Sequence, residues 1–231
     1  MGTGRLLTLS FDDGFAKSFR LVADIHEEFG LKANLNVIAG TDLPGYTAAD
    51  RYHNAKVGGW DLWNELAARG HDVSAHSLDH ANYARLPLDE AKRRIDLCVE
   101  IFEANLKGYK AAANVFAFPF NSSNEDVEDH VLAKFRGLRT SGPGINPMPS
   151  PSLRRLTCSS FGPGNCEEHL DHCIAELLKR DSGWLVYNTH GFDDEGWGPI
   201  APGYLRELYA KLAKPDSGIS VVTLGPVLAA S

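Results

Sequence analysis

The chain has 231 residues and a formal net charge of −7, from 23 Lys and Arg against 30 Asp and Glu. Hydrophobic residues make up 43% and charged residues 23%, a globular balance that excludes a disordered chain, a collagen-like fibre and a coiled coil. The acidic balance excludes a nucleic-acid partner, which demands a basic patch, and no apolar run approaches the ~18 residues of a membrane span.

Taken in chain order, short apolar runs alternate with amphipathic stretches. Residues 5–10 (RLLTLS) predict a strand. Residues 15–29 carry Phe15, Phe19, Val22, Ile25 and Phe29 at helical spacing, and Gly30 stops that helix. Residues 32–38 predict a strand, 59–69 a helix closed by Gly70, and 71–75 a third strand. A long helix over 88–106 has Asp89 as its expected cap. Residues 114–118 predict a fourth strand and 125–134 a helix. Two short strands follow at 137–140 and 153–157, then a helix over 165–179. Residues 184–189 predict a strand, 202–212 a helix and 220–224 a last strand.

Such β–α alternation implies parallel strands joined by helices. About seven units suit a closed or nearly closed barrel, with a doubly wound open sheet as the rival. Either way the active site is expected at the carboxyl ends of the strands. One barrel accounts for the length, because barrels run to about 250 residues as one unit. The chain therefore reads as a single α/β domain over residues 1–231. The four cysteines, Cys98, Cys158, Cys166 and Cys173, form no CxxC pair. Cys166 and Cys173 would sit about 10 Å apart along one helix, too far to bridge. Buried free thiols are expected. The start reaches strand one with no signal peptide, which favours the cytoplasm unless the chain is a processed form. Oligomeric state stays open.

The polar residues collect at predicted strand ends. Asp12 and Asp13 follow the first strand, and His76 follows the third with His80 four residues on. Pro119-Phe120-Asn121 follows the fourth, and His190 follows the strand at 184–189. Alone, Asp-Asp-Gly is usually a turn, and His-x-x-x-His is usually solvated surface. Together, each at a strand end, they describe one site. One Asp with two His suits a divalent ion and leaves positions open for water and substrate. Zinc is the first choice, with cobalt, nickel or manganese as alternatives. The spacing of His76 and His80 suggests one helical turn that faces both the same way. Adjacent Asp12 and Asp13 point apart, so one can bind the ion while the other serves as a base. Gly14 allows the tight turn such an edge needs. An ion, an Asp base and a distant His acid make a metal-assisted hydrolase.

These motifs resemble the polysaccharide deacetylase family with its NodB-homology domain (carbohydrate esterase family 4). The resemblance runs from Leu6 to about Leu224. Ser10-Phe11-Asp12-Asp13-Gly14 is similar to the family's first motif, and His76-Ser77-Leu78-Asp79-His80 to its His-Ser/Thr-x-x-His motif. Arg69-Gly70-His71-Asp72-Val73-Ser74-Ala75 is similar to the family's approach strand, and Asn188-Thr189-His190 to its last motif. The resemblance implies a distorted (β/α) barrel. It implies Asp12 as general base, Asp13, His76 and His80 as metal ligands, and His190 as general acid.

Two departures stand out. The family's third motif, Arg-x-Pro-Tyr, reads Ala117-Phe118-Pro119-Phe120 here, without its Arg. Without that charge partner, the pKa of Asp12 is expected to sit higher. Arg139, at a strand end, could supply the charge instead or meet substrate. Phe120 keeps the backbone N–H that the family aims at the oxyanion. The fourth motif, an Asp-containing stretch with a Trp, is not recognisable, so no group is assigned to orient His190.

The implied substrate is an acetylated sugar or polysaccharide. Trp197, in the acidic loop 191–200 after His190, could stack on a sugar face. Asn121 is a second candidate substrate contact. Trp60 and Trp63 are expected in the core. Asp193, Asp194 and Glu195 could favour a cationic amino sugar, or form a solvated loop. Hydrolysis of another C–N bond, in a cyclic amide or formamide, is the near rival. A non-catalytic carbohydrate-binding barrel is the rival from another class.

Overall fold

In chain order the strands are β1 (Arg5–Phe11), β2 (Asn34–Val37), β3 (Asp72–Ala75), β4 (Val115–Ala117), β5 (Gly137–Ser141), β6 (Ile145–Asn146), β7 (Arg155–Cys158), β8 (Gly183–Thr189) and β9 (Ile219–Val221). The helices are α1 (Ala16–Glu28), α2 (Trp60–Ala68), α3 (Leu88–Asn105), α4 (Glu125–Leu132), α5 (Glu167–Leu178), α6 (Pro202–Leu212) and α7 (Leu224–Ala229). The structure is a computed structural model and describes residues 4–46, 56–162, 164, 166–193 and 195–231.

All nine strands join one sheet, ordered β6-β8-β1-β2-β3-β4-β5-β7, with β9 on β1. Every pairing but the antiparallel β6–β8 is parallel. The two ends of the parallel run meet just past β7. Ser159 donates its N–H to Val186 O (3.0 Å) and accepts from the N–H of Asn188 (2.8 Å). Those two bonds close the ring of seven parallel strands, β1, β2, β3, β4, β5, β7 and β8, into a nearly complete barrel. The fold is α/β, as the alternation implied.

Strand alternation splits the apolar residues into two layers. Leu7, Leu9 and Phe11 point out from β1 and share one cluster with Phe19, Val22 and Ile25 of α1. Trp63 is buried in that cluster, and Trp60 packs against it with its ring 5.1 Å from Phe102. A second cluster, of Val115, Leu156, Trp184, Val186, Leu224 and Leu228, fills the barrel's lower interior. Helix α7 supplies two of those residues and plugs that end. Its first N–H groups, on Leu224 and Gly225, donate to Asn34 Oδ1 (2.9 Å) and Asp72 Oδ2 (2.8 Å). Side chains inside the barrel thus do the work of an N-cap.

The structure corrects several boundaries. The last strand ends at Val221, and residues 224–229 form α7 rather than continuing it. Its pairing with β1 ends once Val222 N–H reaches Leu7 O (2.9 Å), and the chain then turns under the barrel. Strand β6 was not expected; two residues leave no periodicity to detect. Helix α3 has Pro87 at its N-cap, and Asp89 lies inside its first turn. Asn165, the expected first residue of the fifth helix, lies outside the described residues; α5 begins at Glu167. All four cysteines are free and buried. Among the described residues no helix is long and apolar enough to cross a membrane.

Candidate active site

The upper interior of the barrel is polar, and that polarity also alternates. Ser10 and Asp12, Asn34 and Asn36, and Ser74 and His76 are all buried, at every second position of β1, β2 and β3 and their extensions. Period-two spacing turns them to one face. They form the floor on which the site is built.

Asp12 extends β1 by one residue, its N–H donating to Thr189 O (3.0 Å). Its carboxylate accepts three hydrogen bonds. Asn36 Nδ2 donates to Oδ1 at 2.7 Å. Arg139 Nη2 and Asn188 Nδ2 donate to Oδ2 at 2.6 and 2.8 Å. Burial pushes the Asp12 pKa up, but the Arg139 guanidinium, with His76 and His190, outweighs it and holds the pKa below the usual carboxylate value. The expectation of a raised pKa is therefore corrected. The arginine absent at position 117 is replaced by Arg139 of β5, the alternative source of charge named from the sequence, and its contact with Asp12 outweighs the burial.

Asp13 leaves the strand with a left-handed backbone (φ 76°), and Gly14 follows at φ 82°. A Cβ on Gly14 would stand 3.1 Å from the Trp63 ring, so the turn also needs the missing side chain. The reversal aims Asp13 away from Asp12. Its Oδ1 lies 3.3 Å from His76 Nε2 and 3.2 Å from His80 Nε2. Burial opposes its ionisation, but His190, with His76 and His80, holds its carboxyl well below the usual range.

His76 Nδ1 lies 2.9 Å from Ala117 O. A carbonyl can only accept, so Nδ1 carries the proton and Nε2 presents a lone pair to the site. His80 reaches the same point by a different route from the one expected. The segment 76–80 is a loop, not a helical turn, with Ser77 and His80 at φ 72° and 57°. His80 N–H donates to Ser77 Oγ (2.9 Å). Ala39 and Gly40, just past β2, donate their N–H groups to Ser77 O (2.9 Å) and Leu78 O (2.7 Å). Arg94 of α3 pairs with Asp79 and anchors the loop from outside.

Asp13, His76 and His80 each offer one ligand atom, and these atoms lie within 4.8 Å of one another. All three residues are buried, and among the described residues Asp13 Oδ1 has no hydrogen-bond partner. A buried carboxylate oxygen left unpaired between two imidazole nitrogens is costly unless a cation completes it. The donor set, one oxygen and two nitrogens, fits a divalent transition ion.

Asp12, Asp13, His76, His80, Phe120, Asn121, His190 and Trp197 line one cavity of about 550 Å³, together with Asn188 and Ser160. His190 Nε2 faces Asp13 Oδ2 at 3.9 Å. Its Nδ1 is buried without a hydrogen-bond partner among the described residues, so no carboxylate orients that ring there. Packing holds it instead: Trp197 meets it edge-on at 6.3 Å. A Cβ on Gly196 would come within 2.3 Å of His190 Cβ. Phe120 is 56% exposed, with its ring 4.7 Å from that of His80. Asn121 donates from Nδ2 to Asn188 Oδ1 (3.1 Å), while its own Oδ1 has no hydrogen-bond partner among the described residues.

Three candidates lie elsewhere. Arg139 is fully buried beneath the cavity against Asp12 and does not line it. Asp193 pairs with Lys17 (3.0 Å), and Glu195 accepts from the N–H (3.1 Å) and Oγ (2.5 Å) of Ser18. Those two acids bind the loop to the first turn of α1. Asp194 lies outside the described residues. Asn36, a direct partner of Asp12, was not singled out from the sequence. The polar alternation Asn34-Leu35-Asn36-Val37 in a buried strand was the available signal.

The solved structures that resemble this one include a carbohydrate esterase family 4 domain of a multidomain xylanase from the hindgut metagenome of Trinervitermes trinervoides. It is 13% identical, over 97% of this chain and 89% of that one, with a TM-score of 0.63. A family 4 acetyl xylan esterase from Clostridium thermocellum, solved with a cobalt ion, is 17% identical over 96% and 90%, with a TM-score of 0.62. A peptidoglycan deacetylase from Bacillus subtilis is 15% identical over 98% and 92%, with a TM-score of 0.59. At these identities the likeness shows the fold. No curated protein matches. The family model for polysaccharide deacetylases matches residues 2–139, which carry the Asp-Asp-Gly turn and the histidine loop, and the chain belongs to the polysaccharide deacetylase family.

Proposed function

We propose that the chain is a metal-dependent hydrolase that removes acetyl groups from an acetylated sugar or polysaccharide. The observation that carries this reading is the trio Asp13, His76 and His80, converging beside Asp12 on one cavity wall. The trio would hold one divalent ion, with zinc favoured by the nitrogen-rich donor set. Such an ion, when bound, polarises an acetyl carbonyl and makes water a nucleophile near neutral pH.

This chain's own residues do the rest. Asp12 takes the proton of the attacking water. Its three donors keep it ionised and fix its plane, so it waits as a base. The N–H of Phe120 holds the developing oxyanion. His190, whose Nε2 faces Asp13 Oδ2 at 3.9 Å in the same cavity, gives a proton from Nε2 to the leaving amine or alkoxide. Trp197 offers an indole face to the sugar ring, and Asn121 Oδ1 accepts from a sugar hydroxyl.

Acetate release from a panel of N- and O-acetylated sugars, with metal-free and zinc-loaded protein, tests this beside a panel of ring amides and formamides. Zinc-dependent acetate release, reduced about 10³-fold or more in Asp12→Asn, is the expected result. Turnover of ring amides alone would move the activity to another C–N bond. Sugar binding without turnover in any metal-loaded form would make this a binding barrel.

A further inference from the structure

Ala117 and Arg139 are register partners across the parallel β4–β5 ladder. Side chains paired in this way stand on the same face of a sheet, on strands about 4.8 Å apart. That face is the barrel interior, because the neighbouring partners Phe116 and Leu138 both belong to the outer cluster. Ala117 and Arg139 are both fully buried. An arginine on either residue would therefore start within one strand spacing of the other, and a methyl at 117 leaves that space to Arg139.

Arg139 spends this position on one contact. Nη2 donates to Asp12 Oδ2 at 2.6 Å, while Nε and Nη1 have no partner among the described residues. A buried guanidinium with two idle donors is a poor stabiliser, since apolar replacements for buried ion pairs are often neutral or better. What Arg139 does accomplish is local. It shares Oδ2 with Asn188, opposite the bond from Asn36 to Oδ1, and so completes the clamp on Asp12.

We propose that Arg139 is a positioning residue for Asp12, and that positions 117 and 139 are interchangeable sources of this guanidinium. The proposal rests on the reading of Asp12 as the base. Arg139→Gln and the exchange variant Ala117→Arg with Arg139→Ala test it, with rates normalised to folded, zinc-loaded protein. Arg139→Gln is expected to lower kcat about 100-fold, with KM and zinc per chain unchanged. The exchange variant is expected to return to within about tenfold of the wild-type kcat. A purely structural Arg139 would change the melting temperature and leave the kcat of folded protein alone. Wild-type kcat in folded Arg139→Gln overturns the proposal. Where Arg139→Gln does not fold, the exchange variant decides. An exchange variant that is as slow as Asp12→Asn, or that cannot fold, shows the positions are not interchangeable and overturns it. Asp12→Asn separates the two readings. If it stays active, the base assignment itself fails. If it is silent while Arg139→Gln runs at full rate, only the positioning role fails.

Discussion

His76 shows how much of the site is set by single atoms. The carbonyl of Ala117 takes the Nδ1 proton, so Nε2 faces Asp13 as a lone pair before any ion arrives. That preset tautomer is worth having only if Nε2 is a ligand. His76→Ala removes one of three donors and leaves Ala117 O without its buried partner. Zinc per chain after exhaustive dialysis is expected to fall to near zero, with acetate release lost alongside it. Full zinc content together with full activity would remove His76 from the metal set. His76, His80, Asp12 and Asp13 were legible in the sequence because each sits within a short motif at a strand end. Asn36 was not singled out as a partner of Asp12, and for Arg139 that role stood beside a substrate contact, since both contacts depend on strand register across the barrel. The loop conformation of 76–80 was also hidden. An i, i+4 spacing fits a helical turn, but left-handed backbone at Ser77 and His80 gives the same convergence.

At the scale of elements, the acidic loop after β8 and the first turn of α1 act as one unit. Helix α1 has no side-chain cap of its own. Glu195 supplies one from 177 residues away, accepting from Ser18 N–H and Oγ, and Ser18 Oγ in turn accepts from Phe192 N–H (2.9 Å). The exposed Lys17–Asp193 pair beside it adds little, about 0–1 kcal/mol. Trp197 and His190 lie on either side of this anchor in sequence, so its loss should be felt in the cavity. Glu195→Ala is expected to cost about 1 kcal/mol, a fall of roughly 2–4 °C in melting temperature for a chain of this size. KM for the acetylated sugar should rise while zinc content holds. A lower melting temperature with KM unchanged would confine the loop to stability. Composition alone left these carboxylates open to either a substrate or a solvated role, because charge counts do not say which helix end lies nearby.

At the scale of the molecule, the barrel is wrapped by helices whose contacts include one pH-sensitive joint. His26 of α1 is buried between Phe11 of β1 and Tyr209 of α6, with ring centroids 5.9 and 4.7 Å away. Its Nδ1 lies 2.7 Å from Val22 O and therefore donates; its Nε2 lies 2.6 Å from the Tyr209 hydroxyl and accepts. Both bonds need the neutral ring. Burial pushes the His26 pKa down to about 3 from its ordinary 6.5, with His71 pushing the same way and Val22 O opposing. The unfolded chain takes up a proton below 6.5 that the folded chain refuses until about 3. The stability due to this neutral ring is thus fully present above 6.5 and is lost as pH falls through that window. The slope approaches about 1.4 kcal/mol per pH unit, or roughly 2.7 kcal/mol over two units. His26→Gln lacks the titrating group, so it should start less stable and lose less on acidification. Thermal melts of both proteins at about pH 7 and about pH 4.5 measure the difference, with the wild type expected to fall by roughly 5–10 °C more. Parallel losses in the two proteins would move the acid sensitivity away from His26 and onto the carboxylates that its burial leaves untouched.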